Sequence, residues 1–187
     1  MTLRQGSAQA EAGIRDVLDF WFSRSPDDWW KPDKAFDLEI RDRFFRLWAE
    51  ERENVPGHFL DDADHALAAV ILFDQFPRNM FRGHADQFST DPLALAVAKG
   101  AVERGHDDGM TPPRRGFLYM PFEHSEDLRD QRQALLLFTA LGDAEMLKYA
   151  RTHYEVIERF GRFPHRNAML GRKPTAIEAA AGDVVPW

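Results

Sequence analysis

Apolar residues recur along this chain at intervals of three and four, the period of an α-helix with one buried face. Ile14, Val17, Leu18 and Trp21 form one such stripe and predict a helix over roughly 12–23. Phe36, Ile40, Phe44, Leu47 and Trp48 form the next, running from a cap at Asp33 to about Glu51, with Arg41, Arg43, Arg46 and Glu50 outward. Between them Ser25-Pro26 predicts a short turn in which Trp29 and Trp30 pack down. From Asp62 the chain reads as a helix to about Gln75, because no turn residue interrupts the pattern between His65 and Phe73, and Ala66–Phe73 is apolar throughout, which marks a central buried helix. Leu67, Val70 and Ile71 define its inner face, and Asp74 falls on the same stripe. Pro77 is expected to stop or kink this helix, because it lacks an N–H and disfavours α geometry at Phe76.

The second half reads similarly. Asp91-Pro92 opens a helix ending at Gly105, with Gly100 inside it as a point of close packing. Thr111-Pro112 opens a short one that Pro121 is expected to terminate. A helix from Glu126 to Leu141 stops at Gly142 and carries Gln131 and Arg132 on the side of Leu128, Leu135 and Phe138. Asp143 caps a long helix, Ala144–Phe160, that is apolar on two adjacent faces and ends at Gly161. Thr175 and Glu178 have capping-box spacing before a small last helix. No five-residue window alternates as a strand does, so the fold class is all-α: a single-domain bundle of about seven to nine helices over 13–187, preceded by a mobile leader over 1–12.

Composition narrows the function classes. With 44% hydrophobic and 12% aromatic residues the chain has material for a packed core. A net charge of −7 provides no broad basic field, so nucleic acid and anionic membrane are disfavoured as partners. No cysteine is present, which excludes disulfides and thiol chemistry and suits a cytoplasmic location. Gly-rich phosphate loops, nucleophile elbows and His-Glu-x-x-His sequences are absent.

Chemistry concentrates in three stretches, FDQFPRN, PFEHSED and FGRFPHRNAMLGR, each beside the end of a buried helix. Donors and acceptors in such positions must meet partners, since leaving one buried and unpaired costs about 1–3 kcal/mol or more. The three are therefore expected to converge. The candidate acid–base residues are Glu123, His124, Glu126 and His165; the candidate ligand-binding residues are Asp74, Arg78, Asn79, Arg162, Arg166 and Asn167. Histidines titrate near neutrality beside carboxylates, and arginines fork onto carboxylates or phosphates, so the chemistry indicated is capture of a small anion with proton transfer. The plainer reading is a structural ion network in which Asp74 pairs with Arg78 or Arg166. No cofactor or metal is expected: the paired Glu-x-x-His helices of di-iron bundles are missing, and only a single ion at His124, Glu126 and His165 fits the residue types. His153, between Tyr149, Val156 and Phe160, reads first as a core residue donating to a neighbour.

The ordered set LFDQFPRNMFRG, PFEHSEDLRDQ and RFGRFPHRNAMLGR resembles the bacterial domain-of-unknown-function 924 family, from about Ile14 to Trp187. The resemblance implies a tetratricopeptide-like helix arrangement and no established activity. Two functions follow as expectations: a pocket that binds or transforms a small anionic ligand, or a non-enzymatic module that binds a protein partner or a second copy of itself.

Overall fold

A computed structural model of the chain describes residues 13–182 and 184; the leader expected over 1–12 lies outside them. Helices cover 13–22 (α1), Pro26–Trp30 (α2), Lys34–Glu51 (α3), Ala63–Val70 (α4), Phe76–Met80 (α5), Asp91–Glu103 (α6), Pro112–His124 (α7), Leu128–Leu141 (α8), Ala144–Phe160 (α9) and Ala176–Ala181 (α10). No strand occurs among the described residues, and no helix there is long and apolar enough to cross a membrane.

The ends of these helices follow from local chemistry. Asp33 accepts from the amides of Ala35 and Phe36, and Asp143 from those of Glu145 and Met146, which satisfies donors that a first turn leaves open. Thr175 and Glu178 form the reciprocal capping box. Gly161 closes α9 at φ 69°, a left-handed conformation that side chains resist.

One core joins the helices. Its aromatic half packs Phe20 and Trp21 of α1 against Phe36 and Phe44 of α3, Phe76 of α5 and Phe117 of α7, with ring centroids 5.4 Å apart for Trp21–Phe117, edge to face, and 4.6 Å for Phe44–Phe76. Burying each such side chain stabilises by roughly 1.5–3 kcal/mol. Gly100 sits where a Cβ would run into Leu60, so the close packing expected of it is realised. Helices α7, α8 and α9 pack as successive neighbours, compatible with a tetratricopeptide-like arrangement.

Three local expectations need correction. Pro121 does not terminate α7; it lies inside a helix that runs on to His124, and this extension carries Glu123 inward. Trp30 is exposed, resting one face on Phe117 at 5.8 Å while Trp29 alone tucks in, donating its indole N–H to Trp21 O at 2.9 Å. Gln131 is buried as expected, but Arg132 on the same helix is exposed.

Candidate functional site

The site is built on an irregularity. Instead of stopping before Pro77, the chain passes from α4 through a wide π-helical turn, Ile71–Gln75, directly into α5. There the Phe76 N–H reaches back to Ile71 O, and the added residue rotates the downstream helix by roughly 100° about the axis. Pro77 has no N–H for Phe73 O, and the Thr90 hydroxyl takes that place at 2.7 Å while accepting the Trp48 indole N–H at 3.2 Å. The Arg78 guanidinium donates to Asp74 O, the next carbonyl. Side chains thus complete the backbone bonding that lets the helix run through a proline, and Asp74 is left fully buried at the centre of the polar pole.

Around Asp74 the three stretches converge. His124 donates Nδ1–H to its carboxylate, at 2.8 and 3.0 Å, and Arg78 lies 3.2 Å from Oδ1. Arg78 also forks onto Asp91 at the start of α6, at 3.0 and 3.2 Å. Arg166 reaches the same Asp91 carboxylate by a single contact of 3.4 Å, its guanidinium held between the rings of Phe88 (4.5 Å) and Phe163 (4.4 Å). Its Nε is buried without a hydrogen-bond partner.

Glu123, at the end of α7, places Oε1 4.0 Å from His124 Nε2, and its Oε2 is buried with no hydrogen-bond partner. The last turn of α7 is fixed by Gln131, whose amide donates to the carbonyls of Glu123 (2.6 Å) and Ser125 (2.7 Å). Across from it on α9, His153 donates Nδ1–H to Tyr149 O at 2.8 Å, with its ring 6.0 Å from that of His124. Glu123, His124 and His153 each offer a ligand atom within 4.8 Å of the others.

A second network lies beside this one. Glu126 accepts the Phe163 N–H at 2.8 Å and both prongs of Arg172 at 2.6 and 3.0 Å. Arg172 donates further to Phe163 O and Asn167 Oδ1, and Asn167 to Glu178 Oε2 at 3.2 Å. This clamp ties the 163–172 loop to the connection between α7 and α8.

Of the candidate residues, the structure brings together Asp74, Arg78, Glu123, His124 and Arg166, with His165 at the edge, its ring 5.7 Å from Phe163. Glu126 and Asn167 belong to the clamp. Arg162 pairs with Glu178 at 3.7 Å, and Asn79 points to α3, where it donates to Asp37 at 2.8 Å. Sequence reasoning missed Asp91, which it read only as a helix cap. The signal was the echo of Phe76-Pro77-Arg78 in Phe163-Pro164-His165-Arg166: two arginines in like settings that share one acid.

The charges follow from this geometry. Burial opposes ionisation of Asp74, but Arg78 and His124 outweigh it and hold the carboxyl down at about 2. Glu123 has no such support; burial and the Asp74 charge, partly offset by Arg78, push it up to about 8. Burial and Arg78 lower His124, so an anionic Asp74 faces a neutral imidazole. Burial, with the neighbouring His124, holds His153 down at about 3; burial and Arg166 hold His165 at about 4. Arg166 is itself lowered to about 10, by burial and the proximity of Arg78, although Asp91 works the other way.

No curated protein matches the chain. A solved structure of a protein of unknown function from Agrobacterium tumefaciens is 42% identical, with a TM-score of 0.84, over 91% of this chain and 97% of that one. With residues 17–181 matching its defining pattern, the chain belongs to DUF924, a family of bacterial proteins of unknown function.

Proposed function

We propose that this protein binds a small ligand bearing a carboxylate or phosphate at the Arg166 end of the polar pole, and that Glu123 and His124 exchange protons with it. The observation that carries the reading is the state of Arg166: nine-tenths buried, in contact with a carboxylate at only 3.4 Å, its Nε without a partner, and its plane fixed by two aromatic rings. Arg78 already engages Asp91 with two prongs, so Arg166 is the cation that an incoming anion would complete. Near neutral pH Glu123 carries a proton and His124 has lost one, which supplies an acid and a base side by side. A protein-interaction role rests on the helix arrangement alone.

The test is a thermal shift with inorganic phosphate and with succinate on the wild type and on Arg166→Met. One anion is expected to raise the wild-type melting temperature, by the equivalent of about 2.7 kcal/mol at a hundred times its Kd, and to leave Arg166→Met unmoved. If neither anion shifts the wild type, or both proteins shift equally, the reading is wrong.

A further inference from the structure

We propose that Glu123, His124 and His153 form a binding site for one divalent first-row transition-metal ion. The inference shares Glu123 and His124 with the anion reading but takes no ligand atom from Arg166, where the anion would bind; a metal ion on those two shared residues would take the place of the proton exchange assigned to them. Both imidazoles are set as metal-binding histidines are set, by a hydrogen bond on the nitrogen away from the ion. His124 gives Nδ1–H to the Asp74 carboxylate and His153 gives Nδ1–H to the Tyr149 carbonyl. An ionised carboxylate and a carbonyl only accept, so in each ring the lone pair lies on Nε2. Asp74, His124 and the ion would form the carboxylate–histidine–metal relay that raises ligand basicity.

Glu123 supplies the third ligand and the reason for a cation. Its side chain is 7% exposed, and Oε2 has no hydrogen-bond partner, an arrangement that an ion would complete. Ligand atoms around a tetrahedral ion stand about 3.4 Å apart for bonds of ~2.1 Å. The present spread is 4.0 Å for His124 Nε2 to Glu123 Oε1, with one ligand atom of each residue within 4.8 Å of the others, and side-chain rotation would have to bring it to that value. The nearby Arg78 charge is matched by Asp74 at 3.2 Å and Asp91 at 3.0 Å. Two imidazoles and one carboxylate suit zinc, cobalt or ferrous iron rather than magnesium or calcium, which prefer oxygen alone. Three protein ligands leave a coordination position for water, the pattern of reactive rather than structural sites. The trio that the sequence offered, His124, Glu126 and His165, does not serve, because Arg172 and the Phe163 N–H already occupy the Glu126 carboxylate.

The probe is Co²⁺, titrated into the full-length protein after treatment with EDTA and read by its visible absorption. The wild type and the exposed-histidine variant His84→Ala are expected to take up one equivalent with the intense bands of a low-coordinate site, displaced by Zn²⁺. Glu123→Gln and His153→Ala are expected to bind on the order of 100-fold more weakly, or not at all. Glu123→Gln keeps the side-chain shape and removes a costly carboxylate, so its metal-free form is expected to melt no lower than the wild type; loss of Co²⁺ there cannot be ascribed to misfolding. A wild type that takes up no Co²⁺, or variants that bind as it does, would overturn the site. Phosphate binding is read on Arg166→Met and Co²⁺ binding on Glu123→Gln, so either reading can fail without the other.

Discussion

The two ionic networks at the polar pole use the same residue types and differ in how completely they are matched. In the clamp, the Glu126 carboxylate receives three donors, Arg172 spends its guanidinium on Glu126, Phe163 O and Asn167, and the one buried oxygen without a hydrogen bond, Glu178 Oε1, has the Arg162 guanidinium 3.7 Å away. In the network around Asp74, two arginines crowd one aspartate, Arg166 makes one long contact, and buried atoms of Arg166 and Glu123 lack hydrogen-bond partners. A matched network is what stability alone would produce, since every unpaired buried group opposes folding. The less completely matched one, a few residues away, is where the proposed ligand would bind.

Removing the keystone of the unmatched network has the largest expected effect. Asp74→Ala strips both Arg78 and His124 of their buried partner and is expected to cost about 3–5 kcal/mol in urea unfolding. A loss below about 1 kcal/mol would mean that the surrounding acids replace Asp74, and that the π-helical turn does not exist to place it.

The pH dependence sharpens the contrast next. Glu123 has a folded-state pKa of about 8, above its unfolded value of about 4.3, so the stability linked to its proton is complete below pH 4 and is lost as pH rises through 8. His153 and His165, held down at about 3 and 4, act the opposite way and weaken the fold only as pH falls below about 6.5. Between pH 6.5 and 8 Glu123 is therefore isolated. The metal-free wild type is expected to lose about 1–2 kcal/mol over that interval and Glu123→Gln close to none, by urea unfolding at matched salt. Parallel profiles would place a compensating cation of the chain itself on Glu123.

Much of this was legible in the sequence, for reasons tied to particular residues. Asp143 and Gly161 mark both ends of α9 because capping is local chemistry, and the all-α class follows from periodicity held over many turns. The convergence of Asp74, His124 and Arg166 was legible because buried charges have to find each other. What the sequence hid depends on distant partners. Pro77 read as a stop or a kink and Pro121 as a stop, and nothing within a few residues of Pro77 announces that Thr90 will bond Phe73 O. Asp91 looked like a cap until two arginines proved to share it, and His153 looked like core until Glu123 and His124 proved to face it.

The smallest predicted effect is also the most direct test, because it sets one arginine of each network against the other. Arg172→Met and Arg166→Met keep similar apolar volume and differ mainly in the bonds removed. Arg172→Met is expected to lower stability by about 2–3 kcal/mol, as bonds to a carboxylate are worth. Arg166→Met, measured by urea unfolding without added anion, is expected to stay within about 1 kcal/mol of the wild type while losing the phosphate or succinate response. An Arg166→Met loss equal to that of Arg172→Met would contradict a ligand-awaiting site and make both arginines part of one structural network.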